Sequence, residues 1–115
     1  MPLIIKSADS TIEKHVPIIK QDRNGDEIKL TVSIGDKILH PNTVEHHIKW
    51  VEVYFIQEGT EIPHAIGKTE FAGHNDLILT KPKTSFSFKT RKKGSILAIA
   101  YCNIHGLWQS EMKLL

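Results

Sequence analysis

The chain is poor in cysteine, in long apolar runs and in charge of one sign, and each shortage narrows what it can be. A single cysteine, Cys102, allows no internal disulfide and no Cys-x-x-Cys pair. The first nine residues turn polar too early for a secretory signal, so the expected compartment is the cytoplasm. The longest apolar runs span about five residues, far short of a membrane helix. Fifteen basic residues face 13 acidic ones, for a net charge of +2, and the one basic cluster is Arg91-Lys92-Lys93 beside Gly94. That cluster reads as a solvated hairpin turn, and without a broad basic stripe nucleic-acid binding is not expected. No repeat, low-complexity segment, linker or long helical period is visible.

What remains is a run of short strand patterns. Hydrophobic residues make up 40% and charged residues 24% of 115 positions, an ordinary globular balance for one domain with a real core. Ser10 followed by Glu13 is a capping-box pattern for a brief helix, which Pro17 would stop. Residues 15–20 read as extended, and Asn24-Gly25 as a hairpin turn. Residues 28–34 alternate apolar and polar, the mark of a half-buried strand. Residues 47–56 suit a central strand, 64–71 a weaker one and 78–80 a short one. Residues 85–90 alternate again, 95–102 read as a core strand, and 107–114 form the last. The expected architecture is all-β, an immunoglobulin-like antiparallel β-sandwich of about seven strands. A single domain spans residues 1–115, with 1–14 as an N-terminal arm.

The chemistry-bearing feature is an excess of histidine. Seven are present, and His15, His40, His46 and His105 stand beside turn or strand-end signals. Cys102 precedes His105 by three residues at the end of the apolar strand, and Gly106 eases a turn that would bring both toward one ion. Loops at one end of a sandwich can gather distant ligands, so a five-ligand site of His15, His40, His46, Cys102 and His105 is feasible. Imidazole suits iron, copper or zinc, whereas thiolate disfavours calcium and magnesium. Each residue also has a plain reading. A lone histidine is usually a surface or hydrogen-bonded residue, and a cysteine ending an apolar strand is usually an inert buried thiol.

Three segments taken together resemble one family. Glu13-Lys14-His15-Val16-Pro17, then His40-Pro41 with His46 and Ile48, then Cys102-Asn103-Ile104-His105-Gly106-Leu107-Trp108 are similar to the superoxide reductases. The similarity is to the one-iron class (neelaredoxin) and to the catalytic domain of desulfoferrodoxin. It runs from about residue 10 to the end; the two-iron class needs four further cysteines that this chain lacks. The resemblance implies one non-haem iron per chain, cycling between Fe2+ and Fe3+. His15, His40, His46 and His105 would be equatorial and the Cys102 sulfur axial, with His105 binding through Nδ1 and the others through Nε2. It implies that Glu13 occupies the sixth position in the ferric state and that Lys14 stands beside the open face. His47, at a position often aromatic in the family, has to point elsewhere.

The implied reaction reduces superoxide to hydrogen peroxide with one electron from an external donor and two protons. Lys14 would attract the anion, while Glu13 would cap ferric iron rather than donate the proton, since a solvated carboxylate near iron is ionised. Amides near Ile104 and His105 are expected to hydrogen-bond to the sulfur. The family further implies a small donor protein such as rubredoxin and a homotetramer. Three other readings compete. A cupredoxin-like electron-transfer protein would use Cys102, His105, an upstream histidine and Met112, but leaves two histidines and Glu13-Lys14 idle. A plain immunoglobulin-like binding module with zinc or no metal would tolerate loss of His15, His40 and His46. A superoxide dismutase would release oxygen as well as peroxide.

Overall fold

A computed structural model describes residues 5–7, 14–35 and 39–115. Eight strands run in the order β1 (Pro17–Asn24), β2 (Glu27–Ile34), β3 (Ile48–Gln57), β4 (Pro63–Glu70), β5 (Lys83–Lys89), β6 (Gly94–Cys102), β7 (Gly106–Gln109) and β8 (Lys113–Leu114). All pairings between them are antiparallel. One sheet is β1-β2-β5; the other is β4-β3-β6-β7, with β8 also paired to β6. Two antiparallel sheets of three and five strands make the expected immunoglobulin-like sandwich.

The core follows from the period of two. Ile28, Leu30, Val32 and Ile34 of β2 are buried, and so are Ile96, Ala98, Ala100 and Cys102 of β6. Cys102 is thus the last inward position of a strand that alternates without a break. On β3 the inward residues Ile48 and Val51 are three apart, which a regular strand forbids. A bulge resolves this: Ile48 pairs with Cys102 and Trp50 with Tyr101, so Lys49 is the extra residue. The bulge lies beside Cys102, at the end of the sheet where the site is built.

Several local expectations shift. The first hairpin turns on Gly25-Asp26, one residue later than Asn24-Gly25, because Asn24 pairs with Glu27. Gly25 alone takes positive φ (64°), the pattern of a type II′ turn with glycine first. Residues 78–80 are not a strand: only His74 and Leu79 bridge, and Leu77 is 91% exposed. The tip is instead held by Asn75, whose Oδ1 accepts the Leu77 and Ile78 amides at 2.8 and 3.0 Å. The last strand splits into β7 and β8, because the Ser110 amide bonds to the Ala98 carbonyl and its hydroxyl accepts the Ala98 N–H. The expected helix at 10–13, and Glu13 with it, lies outside the described residues.

Candidate metal centre

Four separate chain segments meet at one end of the sandwich. His15 lies two residues before the start of β1, and Val16 and Pro17 after it are buried. His40 follows β2, with its amide bonded to the Ile34 carbonyl at 2.8 Å. His46 precedes β3 in a turn closed by Thr43, whose amide and hydroxyl both donate to the His46 carbonyl, at 2.9 and 3.1 Å. His105 sits in the three-residue turn between β6 and β7, where Cys102 pairs with Gly106. Gly106 takes φ 82°, a conformation that a side chain would strain.

Donor atoms converge there. His15 Nε2 lies 3.1 Å and His46 Nε2 3.2 Å from His105 Nδ1, and Cys102 Sγ lies 3.7 Å from the same nitrogen. The donor atoms of His15, His46, Cys102 and His105 all fall within 4.8 Å of one another. One ring nitrogen offers either a single lone pair or a single proton, so His105 Nδ1 cannot satisfy three partners by hydrogen bonding. A shared cation satisfies all of them. Two nitrogens bound at right angles to one ion at about 2.1 Å would be about 3 Å apart, which is the spacing seen.

The four imidazoles also have an order. Ring centroids are 4.7 Å apart for His15 and His105, 5.0 Å for His105 and His46, 4.4 Å for His46 and His40, and 4.6 Å for His40 and His15. His15 and His46 are 5.9 Å apart. The rings therefore run His15, His105, His46, His40 around a quadrilateral with His15 and His46 on a diagonal. The Cys102 sulfur approaches two corners equally, 3.7 Å from His40 Nε2 and 3.7 Å from His105 Nδ1. His40 stands slightly outside the tightest group of four, as the corner diagonal to His105 would.

The second layer fixes these groups. His40 Nδ1 donates to the Pro41 carbonyl at 2.7 Å, which leaves its Nε2 as the lone-pair side facing the sulfur. Burial pushes the His40 pKa down to about 4, despite the Pro41 hydrogen bond, and the charges of His15, His46 and Lys14 push the same way. Burial, then His105, His15 and Lys14, likewise lower that of His46. Both rings are neutral near pH 7, as metal ligands must be. The His105 amide donates to Cys102 Sγ at 3.4 Å, as expected from sequence. His47 points away from the cluster: its Nδ1 donates to the Thr43 carbonyl at 2.9 Å, and its ring stacks on His74 at 3.8 Å.

Lys14 is exposed, and its influence on His40 and His46 puts its charge within electrostatic reach of the cluster. Met112, the further ligand of the cupredoxin-like reading, is 51% exposed between β7 and β8, outside the four segments that meet at the cluster. His64 lies on β4, which is not one of the segments that meet at the cluster. Asn103 stands in the third matching segment of the sequence, which assigns it no role. Its Oδ1 accepts the His47 amide at 2.8 Å and its Nδ2 donates to the Glu45 carbonyl at 3.0 Å, tying the Cys102 turn to the His46 segment. Its place between Cys102 and His105 was the available signal.

The chain is similar to proteins of one kind. The family model described as Desulfoferrodoxin matches residues 7–111. A superoxide reductase of Pyrococcus horikoshii is 53% identical over 110 residues, covering 96% of this chain and 95% of that protein. Neelaredoxin of Megalodesulfovibrio gigas is 37% identical, covering 94% of this chain and 92% of that one. The solved structure of the reduced superoxide reductase (neelaredoxin) of Archaeoglobus fulgidus superposes with a TM-score of 0.90 at 41% identity, covering 98% of each chain.

Proposed function

The chain belongs to the superoxide reductase family, in its one-iron neelaredoxin class, and from that premise we infer how its own residues perform the reaction. It is a non-haem iron oxidoreductase that reduces superoxide to hydrogen peroxide, taking one electron and two protons per superoxide. The observation that carries this reading is the meeting of His15, His46 and His105 nitrogens with the Cys102 sulfur around one point. Iron bound there supplies a one-electron couple between Fe2+ and Fe3+.

His15, His46, Cys102 and His105 hold that iron. His40 is the proposed fourth imidazole. Its neutral, inward Nε2 and its place at the fourth corner of the ring support it. Cys102 contributes the one negatively charged donor among the described ligands, and the His105 amide on its sulfur withdraws part of that charge. Lys14 is the proposed collector of the superoxide anion and the counter-charge for the peroxide formed; its exposure and its pull on the His40 and His46 titrations support this role. Glu13, one residue earlier, is proposed to cap the iron in its ferric state and to withdraw once the external donor has returned it to the ferrous state, which alone can give superoxide its electron. Protons come from water, which reaches the exposed His105 edge.

The remaining assignments rest on family membership and composition. The donor is proposed to be a small redox protein of the rubredoxin kind, the assembly a homotetramer and the compartment the cytoplasm. Among the described residues no helix is long and apolar enough to cross a membrane. Residues 1–115 are proposed to form one iron-binding domain, with 1–14 as its arm. The test is to supply superoxide with a reductant while following peroxide and oxygen together. One peroxide per superoxide with no oxygen release is expected. Oxygen released in proportion to superoxide consumed would instead make the protein a dismutase.

A further inference from the structure

Trp108 lies on β7 opposite Ala100 of β6, a buried residue whose methyl leaves room for a large partner. Its ring is stacked on His15, with centroids 4.9 Å apart and planes only 16° from parallel. The indole Nε1 is buried and has no hydrogen-bond partner among the described residues. A buried N–H without an acceptor is unfavourable, and a phenylalanine could fill most of the same room without it. The group that justifies an indole here is therefore its face.

The ring meets two cations or incipient cations. The Lys6 ammonium lies 5.5 Å from the ring centroid. Lys6 is also joined to β7 by its backbone, donating to the Leu107 carbonyl at 3.0 Å and accepting from the Gln109 amide at 2.8 Å. His15 becomes electron-poor when its Nε2 binds iron, and more so when the iron is ferric. An indole has the strongest aromatic quadrupole among side chains and stabilises positive charge over its face.

We propose that Trp108 is the positioning residue for the iron ligand His15, fixing its ring plane and favouring its polarised, metal-bound form, most of all on ferric iron. The proposal rests on His15 being a ligand and adds a partner that selects for the oxidised state. Two consequences follow in directions that simple packing does not give. Losing the indole face weakens metal binding, and it raises the midpoint potential because the ferric form loses more than the ferrous.

The test uses Trp50→Phe as background, so that Trp108 is the only tryptophan of the original two. Anaerobic titration of the metal-free protein with ferrous iron should quench its emission saturably at one iron per chain. Trp108→Leu is expected to weaken iron binding roughly tenfold, the lower end of what loss of a supporting group costs a metal site. It should also shift the midpoint potential upward, and Trp108→Phe should recover part of both changes. Circular dichroism melts of each variant establish that the fold is kept. If Trp108→Leu keeps both affinity and potential, or if iron uptake by absorbance leaves emission unchanged, the proposal is overturned while the iron centre stands. Failure of the parent chain to take up iron would overturn the centre and this proposal with it.

Discussion

At the scale of single residues, the site divides labour between charge and neutrality. Cys102 brings the only anionic donor among the described ligands, and the histidines must arrive uncharged. His40 is 1% exposed and is kept neutral by burial. Its folded pKa, near 4, lies below the ordinary value of 6.5, so the unfolded chain binds more protons between those values. Stability of the metal-free protein should therefore rise from pH 4 to pH 6.5 and fall as the pH drops through that window. His40→Gln should flatten this slope in urea denaturation series. Lys14 acts differently, as an exposed charge reaching into solvent. Lys14→Ala is expected to slow the reaction with superoxide roughly 2–10-fold at low salt and to weaken its ionic-strength dependence, measured by pulse radiolysis or stopped flow.

At the scale of elements, the alternating strands were legible because one face of each is buried. Residues 28–34 and 95–102 show the period of two directly, and Cys102 ends the second on the core side. The split between β7 and β8 was not legible, since it depends on Ser110 bonding across to Ala98, a tertiary contact with no local pattern. The bulge at Lys49 was hidden for a similar reason: it shows only as a register shift against β6. Of the site, the ligand types and their strand-end positions could be read, but the order of the four rings could not, because it depends on how four loops close together. Asn103 is the element-scale clasp among them. Asn103→Ala removes two hydrogen bonds between the Cys102 turn and residues 45–47. It should lower stability by about 1–3 kcal/mol in denaturant titration and should loosen iron retention against a chelator.

At the scale of the whole molecule, a sandwich with a continuous core carries a site assembled from its loops at one end. The scaffold does not depend on the ion for its sheets: β2, β3 and β6 bury their apolar residues against one another. Iron should nevertheless stabilise the folded chain by closing the cluster across four segments. At a free-iron level about 100 times the dissociation constant, binding contributes about 3 kcal/mol, or a rise in Tm of roughly 10 °C. Scanning calorimetry of metal-free and iron-loaded protein would read it directly. No shift on loading would mean that the histidines and Cys102 do not act as one site.

The most direct measurement is iron content together with the optical spectrum of the oxidised protein, for the parent chain and for Cys102→Ser. One iron per chain is expected, with a thiolate-to-iron band that is lost when Cys102 is replaced. A parent chain without iron, or a band that survives in Cys102→Ser, would contradict an iron centre built on this thiolate.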